Sequence, residues 1–132
     1  MTTVVKFHKT GGPEVLSVEN ALVGKPKRGE ARVRHTAIGL NYIDTYHRSG
    51  LYPLPLPTGV GLEGAGVVEA LGAGVTHVKV GDRVAYAGGP PGAYAQERVM
   101  PANKLVKIPK GVSDEDAAAM MLKGLTVHML IR

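Results

Sequence analysis

Polar and apolar side chains alternate along several short stretches of the chain, and glycines and prolines separate these stretches. The longest stretch covers 31–40, where Val33, His35 and Ala37 fall on one face and polar residues on the other. A period of two is typical of a half-buried β-strand. Further strands are predicted at 3–7, 15–20, 64–71, 93–99 and 105–108, and the range 78–86 is predicted to hold a turn followed by a strand.

Two stretches depart from this alternation and predict helices. The first covers 41–49, with Asn41 as its N-cap and Gly50 just past its end. The second begins after Ser113, where Asp116 stands at the third position of a capping box and a run of alanines follows. The order of elements predicts a mainly β fold with short helices: a partly open β-barrel followed by a C-terminal helical segment.

Composition supports this fold class. The chain has 132 residues, which suffices for one domain, and its 18 glycines and 9 prolines fit a fold with many tight turns. Apolar residues make up 44% and charged residues 20%, which is typical of a globular protein. The chain has no cysteine, and this excludes disulfides, thiolate metal sites and thiol nucleophiles.

Charge and hydropathy limit the expected partners. The formal net charge is +5, and the basic residues are spread along the chain without interleaved aromatic side chains. No stretch reaches the roughly 18 apolar residues of a membrane helix. The first residues lack the apolar region of a signal peptide. We therefore expect a cytoplasmic protein that binds neither nucleic acid nor a membrane.

Most common catalytic motifs are missing or misplaced. Residues 59–64 read G-x-G-x-x-G, but a proline-rich loop precedes them and a β-type run follows, so we do not expect a dinucleotide cradle there. The five histidines have no metal-ligand spacing, and His35 and His128 are predicted as core residues. None of the three serines lies in a G-x-S-x-G turn.

One polar constellation remains, on the first helix and the loop after it. It comprises Asn41, Asp44 and Tyr46, with Tyr52 on the proline-stiffened loop 51–57. Phenol hydroxyls are suited to donate hydrogen bonds to a substrate oxygen that gains negative charge. Tyrosines at the rim of a β-barrel also pack with their hydroxyls outward for no functional reason. From the residues alone the two interpretations are equally weighted.

A series of short motifs then carries a family resemblance. In order and spacing they resemble the N-terminal catalytic domain of the zinc-independent quinone oxidoreductases, the zeta-crystallin-like branch of the medium-chain dehydrogenase/reductase superfamily. The resemblance implies a GroES-like fold and NADPH-dependent reduction of quinones, by hydride or single-electron transfer. The motifs are Gly11–Leu16, Ala37–Tyr46, Arg48–Tyr52, Gly61–Val68, Val80–Val84, Gly92–Ala95 and Leu122–Thr126.

The same resemblance implies the absence of zinc. The zinc-dependent relatives carry a catalytic cysteine where this chain has Asn41, and a histidine where it has Leu62. Without these ligands the chain is not expected to hold a metal.

Site residues are also implied by the resemblance, as expectations. Asn41, Tyr46 and Tyr52 are expected at the reaction centre, with the two phenols bonded to the quinone oxygens. Ile43 and Leu62 are expected to keep the surroundings of the ring apolar. For Asp44, a charge that stabilises the helix start is favoured over proton transfer. The expected cofactor-binding residues are Asn41, Tyr42, Ile43, Asp44, Tyr46, Lys123 and Thr126.

Members of this family are more than twice as long as this chain. Residues 1–132 are therefore expected to form one substrate-side GroES-like domain, with a cofactor-binding Rossmann domain expected after residue 132 and absent from this chain. We expect the 132-residue chain alone to be inactive and monomeric, and the full-length protein to be a homodimer. Two alternatives stay open: a zinc-free enoyl-thioester reductase of the same superfamily, and a non-catalytic GroES-like binding barrel.

Overall fold

The computed structural model describes all residues from 1 to 132 and contains eight strands and two α-helices. Two short 3-10 turns lie at Pro13–Val15 and Ala102–Lys104. In chain order the elements are β1 (Thr2–Phe7), β2 (Leu16–Ala21), β3 (Glu30–Gly39), α1 (Tyr42–Ser49), β4 (Thr58–Gly59), β5 (Glu63–Leu71), β6 (Arg83–Ala87), β7 (Glu97–Pro101), β8 (Val106–Lys107) and α2 (Asp114–Leu130).

The strands form two antiparallel sheets. The smaller has the order β2-β1-β4, and the larger has the order β7-β3-β5-β6-β8. Ladder pairing does not close them into a barrel. Residues 94–96 connect the two sheets: the Val5 amide donates to the Tyr94 carbonyl at 2.8 Å, and Val4 pairs with Ala95. The predicted mainly β, partly open arrangement with a C-terminal helix is confirmed.

The main core lies under the larger sheet. Inward side chains of its strands, among them Val33, Val68 and Tyr86, are fully or almost fully buried. The first half of α2 packs on the same sheet through Ala117 and Ala118, which contact a second buried cluster. Alanine has almost no side chain, so it lets a helix approach a sheet closely.

The second half of α2 is exposed, which corrects one prediction. His128 was expected in the core, but it lies on the solvent-exposed part of the helix. Its neighbours Val127, Met129 and Leu130 are exposed as well, so their apolar character does not reflect burial in this chain. The capping box and the alanine run identified the helix correctly but not the extent of its packing.

One strand boundary is also wrong. The strand predicted at 93–99 begins at Glu97 and ends at Pro101. The backbone of 93–96 is used in a different way, because its groups bond to β1 and to the loop before β5. No helix of the chain has the length and apolar character needed to cross a membrane.

Candidate active site

The site begins where β3 ends. The chain leaves Gly39 and reaches Asn41, which has extended backbone angles (φ −130°, ψ 152°) and occupies the N-cap position of α1. The backbone N–H of Asn41 donates to Asp44 Oδ2 at 3.0 Å, and the helix ends at Gly50 in the left-handed conformation. Asn41, Asp44 and Gly50 therefore have the helix-start and helix-end positions that the sequence predicts.

The Asn41 side chain has a further partner, Glu63 at the start of β5. Asn41 Nδ2 donates to Glu63 Oε2 at 2.6 Å, and Lys123 Nζ lies 2.9 Å from the same oxygen. Glu63 Oε1 accepts the backbone N–H of Leu122 at 2.8 Å. Glu63 is completely buried, yet both of its oxygens have partners. We call these four residues the Glu63 cluster; it connects β5, the start of α1 and the middle of α2.

Close packing around this cluster requires glycine at residue 39. A Cβ atom built there would collide with the backbone carbonyl of Ala118 and with the Glu63 carboxylate. A side chain at this position would push α2 away from β3. The contact explains why α2 can place Lys123 beside Glu63.

Three tyrosines form a second group on α1 and the loop that follows it. The ring centroids of Tyr42 and Tyr46 lie 5.3 Å apart, and those of Tyr46 and Tyr52 lie 5.2 Å apart, both in edge-to-face geometry. Tyr42 is 75% exposed and Tyr52 is 50% exposed. None of the three hydroxyls forms a hydrogen bond within the protein. This tyrosine cluster presents aromatic surface and free donors to solvent.

Asp44 lies beneath the tyrosine cluster and is buried. Its Oδ2 atom accepts hydrogen bonds from the backbone N–H of Asn41 and from the hydroxyl of Tyr94, the latter at 2.8 Å. Burial, followed by this hydrogen bond, raises the pKa of Tyr94 above its ordinary value. Asp44 thus fixes the start of α1 against the segment that joins the two sheets. These contacts are those of a helix-start charge, the role favoured from the sequence.

His35 is bonded through both ring nitrogens. Its Nδ1 lies 2.7 Å from the Ala95 carbonyl, and its Nε2 lies 2.7 Å from the Tyr86 hydroxyl. A carbonyl only accepts, so Nδ1 carries the proton and Nε2 accepts from Tyr86. Burial, the largest cause, lowers the pKa of His35 to about 4. His35 is a neutral, half-buried residue with both ring nitrogens bonded, so it is less enclosed than the core position that the sequence predicts.

His35 also borders a cavity of about 540 Å³, which lies between β1 and β3. Its walls are mostly apolar, with Val4, Val5 and Ile38 among them. None of the predicted site residues lines it.

The predicted site residues therefore fall into two neighbouring groups. Asn41 and Lys123 meet through Glu63, while Tyr42, Tyr46 and Tyr52 share the tyrosine cluster. Ile43 is half-buried on α1 between them, and Leu62 is buried next to Glu63 in the chain. Thr126 lies on the exposed part of α2, where its hydroxyl donates to the Leu122 carbonyl at 2.9 Å.

Sequence reasoning missed the central residue of the first group. Glu63 carries no role among the predicted site residues, although a signal was present. It is the only charged residue in the otherwise glycine-rich and apolar run 59–68. A carboxylate at such a position needs buried partners.

A metal centre has no support from side-chain clustering, because no three histidine, aspartate or glutamate side chains converge anywhere in the chain. The expectation that the protein works without zinc stays a prediction.

Comparison with known proteins places this geometry in a family. Residues 27–110 match the model of the alcohol dehydrogenase GroES-like domain, and these residues include the whole larger sheet, β4 of the smaller sheet, α1 and Glu63. The chain belongs to this family. The matched residues comprise β3–β8 with α1, and α2 packs on them.

The relatives of this chain include quinone oxidoreductases and a 2-haloacrylate reductase. Quinone oxidoreductase of Pseudomonas aeruginosa is 56% identical over 133 residues, covering 100% of this chain and 41% of the relative. The structure of Escherichia coli quinone oxidoreductase complexed with NADPH matches with a TM-score of 0.96 at 50% identity, covering 98% of this chain and 40% of that one. A 2-haloacrylate reductase from Burkholderia is 47% identical, covering 99% and 41%.

The predicted resemblance to quinone oxidoreductases is confirmed by these matches. The chain spans about two fifths of the length of these curated relatives.

Proposed function

We propose that this chain is the substrate-side domain of an NADPH-dependent quinone oxidoreductase. The observation that carries the proposal is the tyrosine cluster, whose three hydroxyls are free and whose rings are partly exposed. Flat aromatic edges suit the face of a quinone ring, and free phenols suit its two oxygens. Relatives named quinone oxidoreductases at 50–56% identity support the assignment.

The residues expected at the cofactor have suitable chemistry. NADPH supplies the reducing electrons when it is bound. Lys123 is half-exposed, so its ammonium is accessible to a polar ligand beside Asn41. The Escherichia coli quinone oxidoreductase is seen in a complex with NADPH, and this supports the same cofactor here. We assign Asn41, Tyr42, Ile43, Asp44, Tyr46, Lys123 and Thr126 to the nicotinamide-facing half of the site.

The tyrosines act on the substrate oxygen. Reduction places negative charge on the quinone oxygens, and a hydrogen bond to a charged acceptor is stronger than one to a neutral carbonyl. The hydroxyls of Tyr46 and Tyr52 therefore stabilise the reduced form more than the quinone. Asp44 holds the helix that carries Tyr46, through its bonds to Asn41 and Tyr94.

The wider organisation of the protein stays a set of predictions. It comprises a Rossmann domain in the longer protein, a homodimer of that protein, a monomeric state of this chain, independence from zinc and a location in the cytoplasm. We expect no turnover from the 132-residue chain alone, because its residues include no pyrophosphate cradle.

A turnover assay tests the proposal. A chain that joins residues 1–132 to a cofactor-binding domain is mixed with NADPH and a panel of quinones, and NADPH oxidation is followed at 340 nm. We expect quinone-dependent oxidation, and at least a tenfold loss when Tyr46 and Tyr52 are both phenylalanine. The proposal fails if no quinone is reduced, or if the double variant retains full activity.

Reduction of an activated carbon–carbon double bond is the second candidate. It is supported by the 47% identity to a 2-haloacrylate reductase, whose name specifies such a substrate. The enoyl-thioester reductase left open by the sequence belongs to the same reaction class. Adding a haloacrylate and an enoyl thioester to the panel separates the candidates by kcat/KM. The non-catalytic barrel predicts no turnover with any of them.

A further inference from the structure

We infer that Glu63 is a positioning residue that holds the Lys123 ammonium on the nicotinamide-facing surface, at the cleft between the end of β3 and α2. The inference rests on the proposed function and adds a residue to it. Glu63 touches neither the tyrosine cluster nor the large cavity. Its effect is exerted through its partners.

The Glu63 carboxylate is fully buried, so it depends on its hydrogen bonds to Asn41, Leu122 and Lys123. A buried charge that has no contact with water must be matched by donors, and here three donors come from two separate parts of the chain. Asn41 lies 22 residues before Glu63, and Lys123 lies 60 residues after it. The Leu122 amide completes the set. Glu63 therefore holds the side chains of Asn41 and Lys123 in fixed relative positions, although the two residues are far apart in the sequence.

The first consequence concerns the orientation of Asn41. Only the Nδ2 end of an amide can donate, so the buried carboxylate turns that end inward. The side-chain oxygen of Asn41 faces the backbone N–H of Asp44 in the capping box. Both ends of the Asn41 side chain therefore have partners within the protein, and its orientation depends on the negative charge of Glu63.

The second consequence concerns Lys123. An ammonium has three N–H donors, and Glu63 accepts one of them. The Lys123 side chain is 51% exposed and borders a cleft of about 290 Å³ between the end of β3 and α2. The ion pair restricts a flexible side chain to the mouth of this cleft, so two donors remain available to a ligand.

A purely structural role makes a different prediction. In that case Glu63 only holds α2 to β5 through the Leu122 amide, and its replacement lowers stability without changing ligand affinity below the melting temperature. A positioning role predicts a loss of affinity that disappears once Lys123 itself is removed.

Binding of reduced nicotinamide mononucleotide to the ¹⁵N-labelled 132-residue chain tests the inference. This compound carries the nicotinamide, one ribose and one phosphate, the part of the cofactor that the proposed half-site faces. We compare the unmodified chain with Glu63→Gln, Lys123→Met and the double variant, by shift titration at a temperature where all are folded. Glu69→Gln is the matched control, since Glu69 lies on the same strand and pairs with Arg34 at the surface.

We expect at least a fivefold rise in Kd for Glu63→Gln, no further rise when it is added to Lys123→Met, and no change for Glu69→Gln. If Glu63→Gln does not fold, Glu63→Asp keeps the charge but shortens the reach, and the same rise is expected. An unchanged Kd with a lowered melting temperature overturns the positioning role and leaves the proposed function intact. Absence of saturable binding by the unmodified chain overturns both.

Discussion

Two kinds of polar region meet at α1: the Glu63 cluster at its start and the tyrosine cluster along it and the following loop. In the Glu63 cluster a buried carboxylate is held by three donors, and every oxygen is bonded. In the tyrosine cluster the side chains are partly exposed, and rings contact rings while the hydroxyls stay free. The first region is fixed by the fold, whereas the second has unused donors.

We therefore expect the Glu63 cluster to contribute mainly to stability and the tyrosine cluster mainly to ligand recognition. A buried, fully bonded charge is costly to disturb, because the partners of a removed group stay behind without water. An exposed phenol loses little when it is removed, because solvent replaces it. Substitutions should therefore split into those that unfold the protein and those that only weaken ligand binding.

The largest effect is expected for Glu63→Ala. It leaves the Asn41 Nδ2 group and the Leu122 amide without an acceptor and opens a cavity between β5 and α2. We expect a loss of about 3–5 kcal/mol in the free energy of unfolding, measured by urea denaturation. Glu69→Ala is the surface control, with an expected loss below about 1 kcal/mol. Equal losses of unfolding free energy for Glu63→Ala and Glu69→Ala would contradict the special role of the Glu63 cluster in stability.

Acidification is expected to be the next largest effect, through His35. Burial lowers its pKa in the folded protein from 6.5 to about 4, so the unfolded chain binds the proton first as the pH falls. The contribution of neutral His35 is complete above about pH 6.5 and is lost between there and about pH 4, which amounts to about 3 kcal/mol.

The corresponding measurement is the free energy of unfolding at pH 7 and pH 4.5. His35→Gln should show a smaller decline than the unmodified chain. His128→Gln, at an exposed position, should decline as the unmodified chain does. A His35→Gln decline of wild-type size would show that other groups account for the acid sensitivity.

A smaller loss is expected for Tyr94→Phe, which removes the hydroxyl that donates to Asp44. Asp44 keeps the Asn41 amide as a donor, so the loss should be about 1–2 kcal/mol. Thermal unfolding followed by circular dichroism measures it. No loss at all would mean that Asp44 does not fix α1 through this bond.

The smallest effect on stability is expected for Tyr46→Phe and Tyr52→Phe. Neither hydroxyl has a partner in the protein, so each change should stay within about 0.5 kcal/mol. Quinone binding by the same variants should weaken several-fold, as followed by shift titration. A variant that is destabilised like Glu63→Ala, or that binds quinone normally, contradicts the assignment of these phenols to recognition.

Local signals made much of the fold predictable. The alternation at 31–40 identified β3, and the capping residues Asn41 and Ser113 identified the starts of both helices. These features depend on neighbours within a few residues. The proposed tyrosine group is similarly local, since Tyr42, Tyr46 and Tyr52 lie on one helix and its following loop.

Long-range contacts account for what sequence reasoning missed. The start of the strand at Glu97 depends on the bonding of residues 93–96 to β1, nearly ninety residues earlier in the chain. The role of Glu63 depends on Lys123, which a helix brings back after 60 residues. Local sequence patterns hold no information on such partners. The prediction of His128 as a core residue failed for the same reason, because the exposed end of α2 does not reach the core.

The central claim is that the tyrosine cluster is a quinone site. Its most direct test is a shift titration of the ¹⁵N-labelled chain with tetramethyl-1,4-benzoquinone, whose fully substituted ring avoids addition reactions with lysine. The account predicts saturable shifts centred on the amides of Tyr46 and Tyr52, with none near Lys107 on the distant strand β8. Absence of saturable shifts, or shifts centred on the apolar cavity around Val4 and Ile38, would contradict it.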